Sequence, residues 1–251
     1  MLVPDSKSLR PETAALWQRL STEPLLSGFT LVGGTALALR IGHRVSEDLD
    51  FAYCAETLPR QRLSRLLEDI GKDGFGFTPL VDVAAEQDFL DAGLDLADSQ
   101  QDYTSNGQVK VTFFAPDHHI RGILGGGPAT ALHVASLDEI FRLKAIVCAD
   151  RSKSRDWFDV YTLLRSHGYT MADFHRAFVD SGQPAKYDIA KMRLCSGRPH
   201  AADEGYEDVA GAEAPSIEDM RAFFAQQFDA FERIEFARSI RSARAARDKP
   251  R

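Results

Sequence analysis

Apolar positions along the chain fall into two regimes. Up to about residue 130, short apolar runs alternate with stretches at helical spacing; beyond about 136 the helical spacing takes over. Residues 11–20, PETAALWQRL, open on proline and predict a helix. FTLV at 29–32 is a short apolar strand running into Gly33-Gly34, and Thr35 is placed to cap a short helix over TALALRI. Residues 48–53 alternate as a strand does. Leu63, Leu66, Leu67 and Ile70 share a helical face, with Gly71 as the stop. Residues 75–115 read as strand-rich. In QVKVTFFA, Val109, Val111 and Phe113 share one face and Lys110, Thr112 and Phe114 the other.

In the second regime SLDE at 136–139 is a capping box, in which Ser136 and Glu139 satisfy each other's backbone amides, and its helix runs to about Asp150. Further helices are predicted from Ser154 to Gly168 and over 171–180. Residues 196–215, rich in Gly, Ala, Pro and acids, read as a mobile loop. SIED at 216–219 opens a long last helix with the stripe Ile217, Met220, Phe224, Phe228, Phe231 and Ile234, and a basic tail that frays follows Arg238. The pattern divides the chain into a core at 1–130 with an N-terminal helix and a helical domain at 131–251.

Composition narrows the class. Hydrophobic residues at 44% and charged residues at 27% fit a globular chain, and no run is apolar for long enough to span a bilayer. Cys54, Cys148 and Cys195 are odd in number and far apart, which speaks against a disulfide framework and for a cytoplasmic location. A net charge of −7 gives no global attraction for nucleic acid, so such a partner would need a local basic patch. GGGP at 125–128 lacks the Gly-Lys-Ser/Thr of a P-loop. His43, His118 and His119 read as surface or loop residues, and no nucleophile elbow accompanies the serines.

The chemistry concentrates in GGTALALRIGHRVSEDLDF, 33–51. On a strand, Asp48 and Asp50 project together while Leu49 and Phe51 turn into the core; Glu47 faces away and is structural. Two carboxylates so close repel, and a divalent cation relieves the repulsion; hard oxygen ligands suit Mg²⁺, or Mn²⁺. The glycine pair ends the preceding strand without side chains, so a phosphate can approach the amides at the start of the helix, where the dipole also favours an anion. Phosphate cradle and metal-binding pair together equip a site for nucleotidyl transfer.

Gly33-Gly34 followed by Asp48-Leu49-Asp50-Phe51 resembles the signature of the polymerase-β-like nucleotidyltransferases. The fuller wording GGTALAL…HRVSEDLDF resembles the AbiEii/AbiGii toxin branch. LDEIFRLKAIVCADRSKSRDWFDVYTLL at 137–164 is similar to that family's lysine and Arg-Asp-x-x-Asp motifs. The resemblance covers roughly residues 25–165. It implies an α+β fold, a small mixed sheet flanked by helices and followed by a helical domain. It also implies transfer of a nucleotide from a nucleoside triphosphate to RNA, tRNA or protein, and a cognate antitoxin. Carried over by position, Gly33 and Gly34 with the Thr35 or Ser46 hydroxyl hold phosphate, Asp48 and Asp50 hold metal, Lys144 neutralises the triphosphate, and Asp156 and Asp159 complete the cleft. Arg44 and Arg155 bind phosphate or pair with nearby acids.

One family element is missing. Many superfamily members carry a third carboxylate on a later strand, but VKVTFF presents Lys110, Thr112 and Phe114 on the relevant face. Asp82 is a weak substitute. Asp159, one turn deeper in its helix than Asp156, is the preferred base for the acceptor. The alternative is a chain of this fold that binds nucleotide or a partner without catalysis, with Thr112 as the reason.

Overall fold

The computed structural model describes residues 8–125, 131–199 and 214–247, with side chains to 241. Most of the 196–215 loop, the GGGP glycines beyond Gly125 and the end of the basic tail therefore lie outside the described residues. The chain divides into two compact units, with the boundary between Leu143 and Lys144.

The first unit opens with α1 (Pro11–Leu20), which starts on proline and buries Leu16, Trp17 and Leu20. After a single 3₁₀ turn come β1 (Phe29–Val32), α2 (Gly33–Ile41), β2 (Leu49–Tyr53) and α3 (Arg60–Lys72). Gly71 does not stop α3, contrary to the sequence reading: the helix runs through it, and Gly74 supplies the left-handed turn at φ +93°. The stretch expected to be strand-rich holds three strands, β3 (Phe77–Pro79), β4 (Gln100–Ser105) and β5 (Val109–Phe114), but two helices interrupt it: α4 (Val83–Asp91) and α5 (Leu96–Ser99). Asp82 and Asp95 start these helices, their carboxylates accepting first-turn amides. Next come α6 (His118–Ile123), β6 (His133–Val134) and α7 (Leu137–Asp150), which carries the unit boundary. The Ser136–Glu139 capping box forms at 2.7 and 3.2 Å.

The six strands make one mixed sheet, ordered β3-β4-β5-β2-β1-β6. β2 runs antiparallel to β1 and parallel to β5; β4 is antiparallel to both β3 and β5. One face is aromatic: Phe51 stacks on Phe113 at 5.4 Å, Phe29 meets Tyr53 at 4.8 Å, and the Arg62 guanidinium lies over the Phe29 and Tyr53 rings. The other face is polar toward the middle of the sheet. In register across it stand Val32 of β1, Asp50 of β2, Thr112 of β5 and Asp102 of β4.

The second unit is helical: the end of α7, then α8 (Ser154–Ser166), α9 (Met171–Asp180), α10 (Lys186–Ser196) and α11 (Ile217–Arg247). α10 was not anticipated, because its apolar residues are spread around the helix: Tyr187, Ala190 and Leu194 are buried while Ile189 and Met192 are exposed. The core gathers Trp157, Leu163, Phe174, Phe178, Tyr187, Leu194 and the Met220-Phe224-Phe228 stripe. That stripe is buried as far as Phe228, half-buried at Phe231 and exposed at Ile234, and the helix continues to Arg247. Among the described residues no helix is long and apolar enough to cross a membrane.

Candidate active site

The first-unit site grows from the junction of β1 and α2. The helix starts at Gly33, three residues earlier than a Thr35 cap would place it, and the residue before it, Val32, has no side-chain acceptor for the first-turn amides. Gly33 sits at φ +73°, a left-handed conformation that a side chain resists. Its bare Cα also admits Asp50: a Cβ there would lie 2.6 Å from Asp50 Oδ2. Gly34 makes the matching allowance for Arg44 and Ser46, because a Cβ on it would lie 2.5 Å from the Arg44 guanidinium and 3.2 Å from Ser46 Oγ. The glycine pair is thus the surface against which Asp50, Arg44 and Ser46 are seated.

Asp48 and Asp50 flank Leu49, which is wholly buried, and both acids are half-buried. Asp48 lies one residue before β2. Its carbonyl accepts the Thr35 hydroxyl, which also bonds Ser46 Oγ at 2.9 Å. Thr35 is buried, and these two hydrogen bonds tie α2 to the chain entering β2. Glu47 faces elsewhere and pairs with Arg10 at 2.6 Å. His43 is buried in the loop between α2 and β2, so of the two readings, surface or loop, the loop holds. His118 and His119 open α6, stacked against each other at 3.8 Å, with His118 exposed and His119 half-buried, in keeping with the surface reading.

Asp82, considered as a replacement for the third carboxylate, is an exposed helix cap. Sequence reasoning missed Asp102. It lies beside Thr112 on the neighbouring strand and accepts the Thr112 hydroxyl at 2.7 Å. Ten positions separate the two residues, and the β4–β5 turn register alone brings them together.

The second-unit cluster is built from α7 and α8. Lys144 Nζ lies 2.6 Å from Asp156 Oδ1 and 2.7 Å from Asp159 Oδ2; Arg151 Nε reaches Asp156 Oδ2 at 2.8 Å. The exposures decide the character of this cluster: 8% for the Lys144 side chain, 2% for Asp156 and none for Asp159. Burial pushes the Asp156 carboxyl up, but Lys144 and Arg151 together outweigh it and hold the group below its ordinary range. Burial also pushes the adjacent Cys148 thiol up, which keeps it protonated. Lys144 does lie on the apolar side of its helix, and it is held there by the two acids of the Arg-Asp-x-x-Asp motif. Arg155, from the same motif, lies in the first turn of α8.

Motif and geometry can now be set beside known proteins. The model of the family described as nucleotidyl transferase AbiEii toxin, type IV toxin–antitoxin system, matches residues 15–249. The chain belongs to the AbiEii nucleotidyltransferase toxin family. An uncharacterized protein of Aquifex aeolicus is 23% identical over 218 residues, 87% of this chain and 95% of that protein. Among solved structures, JHP933 from Helicobacter pylori superposes with a TM-score of 0.46 at 17% identity, covering 96% of this chain and 100% of that one. The nucleotidyltransferase toxin MenT4 of Mycobacterium tuberculosis gives a TM-score of 0.45 at 16% identity, with coverages of 91% and 87%. The AbiEii chain is accordingly a nucleotidyltransferase with a mixed sheet and an α-rich remainder, as the resemblance implied.

Proposed function

We propose that this AbiEii nucleotidyltransferase moves a nucleoside monophosphate from a nucleoside triphosphate to an acceptor in a reaction that depends on a divalent ion. The observation that carries the reading is the apposition of Asp50 to Gly33 at the start of α2. It sets a carboxylate beside a helix N-terminus with no side chain between them. The donor set fits Mg²⁺ or Mn²⁺, since Asp48 and Asp50 offer hard oxygens. Among the described residues no cluster of three or more His, Cys, Asp or Glu forms a complete protein cage. Magnesium sites of this kind draw their remaining ligands from substrate phosphate and water. When bound, the ion supplies charge neutralisation on the triphosphate and a template for in-line displacement.

The chain's own groups do the rest. Amides of the first turn of α2 receive phosphate oxygens, and the Gly33-Gly34 surface lets those oxygens come close. Arg44 and Ser46 line the same surface, and Thr35 fixes the Asp48 backbone through its hydroxyl. Lys144 is assigned to the triphosphate, and Asp156 to the nucleotide, on the family motif. Asp159 joins Asp156 in holding the Lys144 ammonium. Family membership also supports a cognate antitoxin; RNA or protein as the acceptor class is what the sequence resemblance implies.

The test is incubation of the full chain with each α-labelled triphosphate, Mg²⁺ and cell extract. Transfer of label is expected from the parent and lost in Asp48→Asn and Asp50→Asn. Because each change removes one of two repelling charges, the metal-free variants should unfold no earlier than the parent. Stabilisation by Mn²⁺ that persists undiminished in the double variant would remove the pair as the metal site.

A further inference from the structure

The row Asp50–Thr112–Asp102 crosses three adjacent strands on one face. Adjacent strands stand about 4.8 Å apart, which puts the Asp50 and Asp102 backbones about 10 Å apart with Thr112 between them. The Asp102 carboxylate is oriented from three sides: Thr112 Oγ1 donates to Oδ1 at 2.7 Å, Gln100 Nε2 donates to Oδ2 at 2.6 Å, and Lys110 Nζ stands 3.4 Å from Oδ1. Its side chain is 19% exposed, enough to meet a substrate. Oδ2, which receives only Gln100 among these contacts, has a second acceptor site left.

Asp102 also lines a cleft of about 870 Å³ on the outer side of β4, walled by α3, α4, α5 and the start of α6. That volume lies within the range of ligand sites. Five carboxylates line the cleft (Asp82, Glu86, Asp95, Asp102 and Asp117) against one guanidinium, Arg60, which leaves four net negative charges. Arg60 is itself engaged by Asp95 at 2.6 Å and Asp98 at 3.3 Å. From Asp73 to Val109 the chain has eight acids and no lysine or arginine. The same wall is apolar: Leu80, Val81 and Leu90 line the cleft and are 44%, 61% and 63% exposed. Acidic and apolar together, the cleft repels a phosphate backbone and complements a cationic chain with apolar side groups.

We propose that Asp102 replaces the third carboxylate as the base for the acceptor, and that the cleft it borders receives that acceptor as a hydroxyl-bearing side chain on a cationic polypeptide segment. The inference rests on the nucleotidyltransferase reading above. In the step, the acceptor oxygen forms a bond to the α-phosphorus while the bond from that phosphorus to the leaving pyrophosphate breaks. The hydroxyl proton passes to Asp102, which later releases it to water. Thr112, which cannot accept a proton near neutral pH, orients the carboxylate that can. Asp159, wholly buried against Lys144, does not compete for this role.

The experiment uses the full chain, Mg²⁺ and α-labelled triphosphate, with two acceptor probes: RNase-treated bacterial protein and protein-free bacterial RNA. Label is expected in protein. Asp102→Asn, which keeps the Thr112 hydrogen bond and so the fold, should lower kcat by about 10²–10⁴ with KM for triphosphate unchanged. Asp102→Glu should recover part of the rate. Glu86→Lys on the cleft wall should cut protein labelling about tenfold while triphosphate binding holds. Label in RNA, or in neither probe, overturns the acceptor. Parental kcat in Asp102→Asn overturns the base. A parent that shows no thermal shift with triphosphate and Mg²⁺ fails differently, because that outcome removes the nucleotidyltransferase site itself.

Discussion

Substituting Gly33 tests the site at its most constrained point, and Gly42 provides the control. Both glycines have positive φ, +73° and +59°. A Cβ on Gly42 meets nothing within 4 Å, so Gly42→Ala incurs only the left-handed backbone cost of about 1–2 kcal/mol. Gly33→Ala incurs the same cost and drives its Cβ to 2.6 Å from Asp50 Oδ2. Relief requires the carboxylate or the helix start to move, at an overpacking cost of about 1–3 kcal/mol. At roughly 2–4 °C per kcal/mol for a chain of this size, Gly42→Ala should lower the melting midpoint by about 2–8 °C and Gly33→Ala by about 4–20 °C. Activity should separate them further: Gly42→Ala transfers label normally, and Gly33→Ala does not. Adding Asp50→Ala to Gly33→Ala should restore about 1–3 kcal/mol, the coupling expected of residues in contact. Equal midpoints and equal activities for the two single variants would refute the view that Gly33 exists to seat Asp50.

Three further outcomes follow from the same contacts. Lys144→Met removes the ammonium that the buried Asp156 and Asp159 share, which costs about 3–5 kcal/mol, and adding Asp159→Asn should recover part of it; an unchanged urea midpoint would refute the cluster's structural role. Because the Asp156 carboxyl is held below its ordinary value, its contribution to stability is full above the unfolded carboxylate value of about 3.9 and is lost as pH falls through the lower folded value, so Asp156→Asn should flatten the stability–pH curve below about pH 4 in denaturant titrations. Thr35→Val leaves the Asp48 carbonyl without its donor and should cost about 1–3 kcal/mol while weakening Mn²⁺-induced stabilisation; stabilisation equal to the parent's would show that the tether does not position Asp48.

The parts of the fold legible in the sequence are those in which local pattern and tertiary burial agree. The Ser136–Glu139 box and the Met220-Phe224-Phe228 stripe are examples, since the same spacing that makes the helix also buries its face. Where the two part company, pattern misleads. Helix α4 buries none of its residues, and Val83 and Leu90 point outward, so no amphipathic period marks it within a run of apolar positions that reads as strand. Gly71 carries the sequence mark of a helix stop, but the decision was made at Gly74, whose left-handed φ is invisible without the backbone. Thr35 has the chemistry of a cap, but it sits inside the helix because Gly33 can take the positive φ that starts α2 earlier.

The candidate site divides along the same line. Gly33, Gly34, Asp48 and Asp50 lie within 18 positions of one another, and strand alternation alone puts both acids beside Leu49. Lys144 and its two acids are joined by α7 and α8, neighbouring helices whose order in the chain matches their proximity. Asp102 has no such local signature. Its relation to Asp50 runs through two registers, Asp50 to Thr112 in a parallel pair and Thr112 to Asp102 in an antiparallel one. A slip of one residue in either pairing would turn the side chain to the aromatic face, so a search for an acid at Thr112 on its own strand necessarily finds none. The threonine that made the site look incomplete instead donates the hydrogen bond that orients the acid beside it. The physical requirement is a carboxylate at that height of the sheet, and a neighbouring strand meets it as well as the same one.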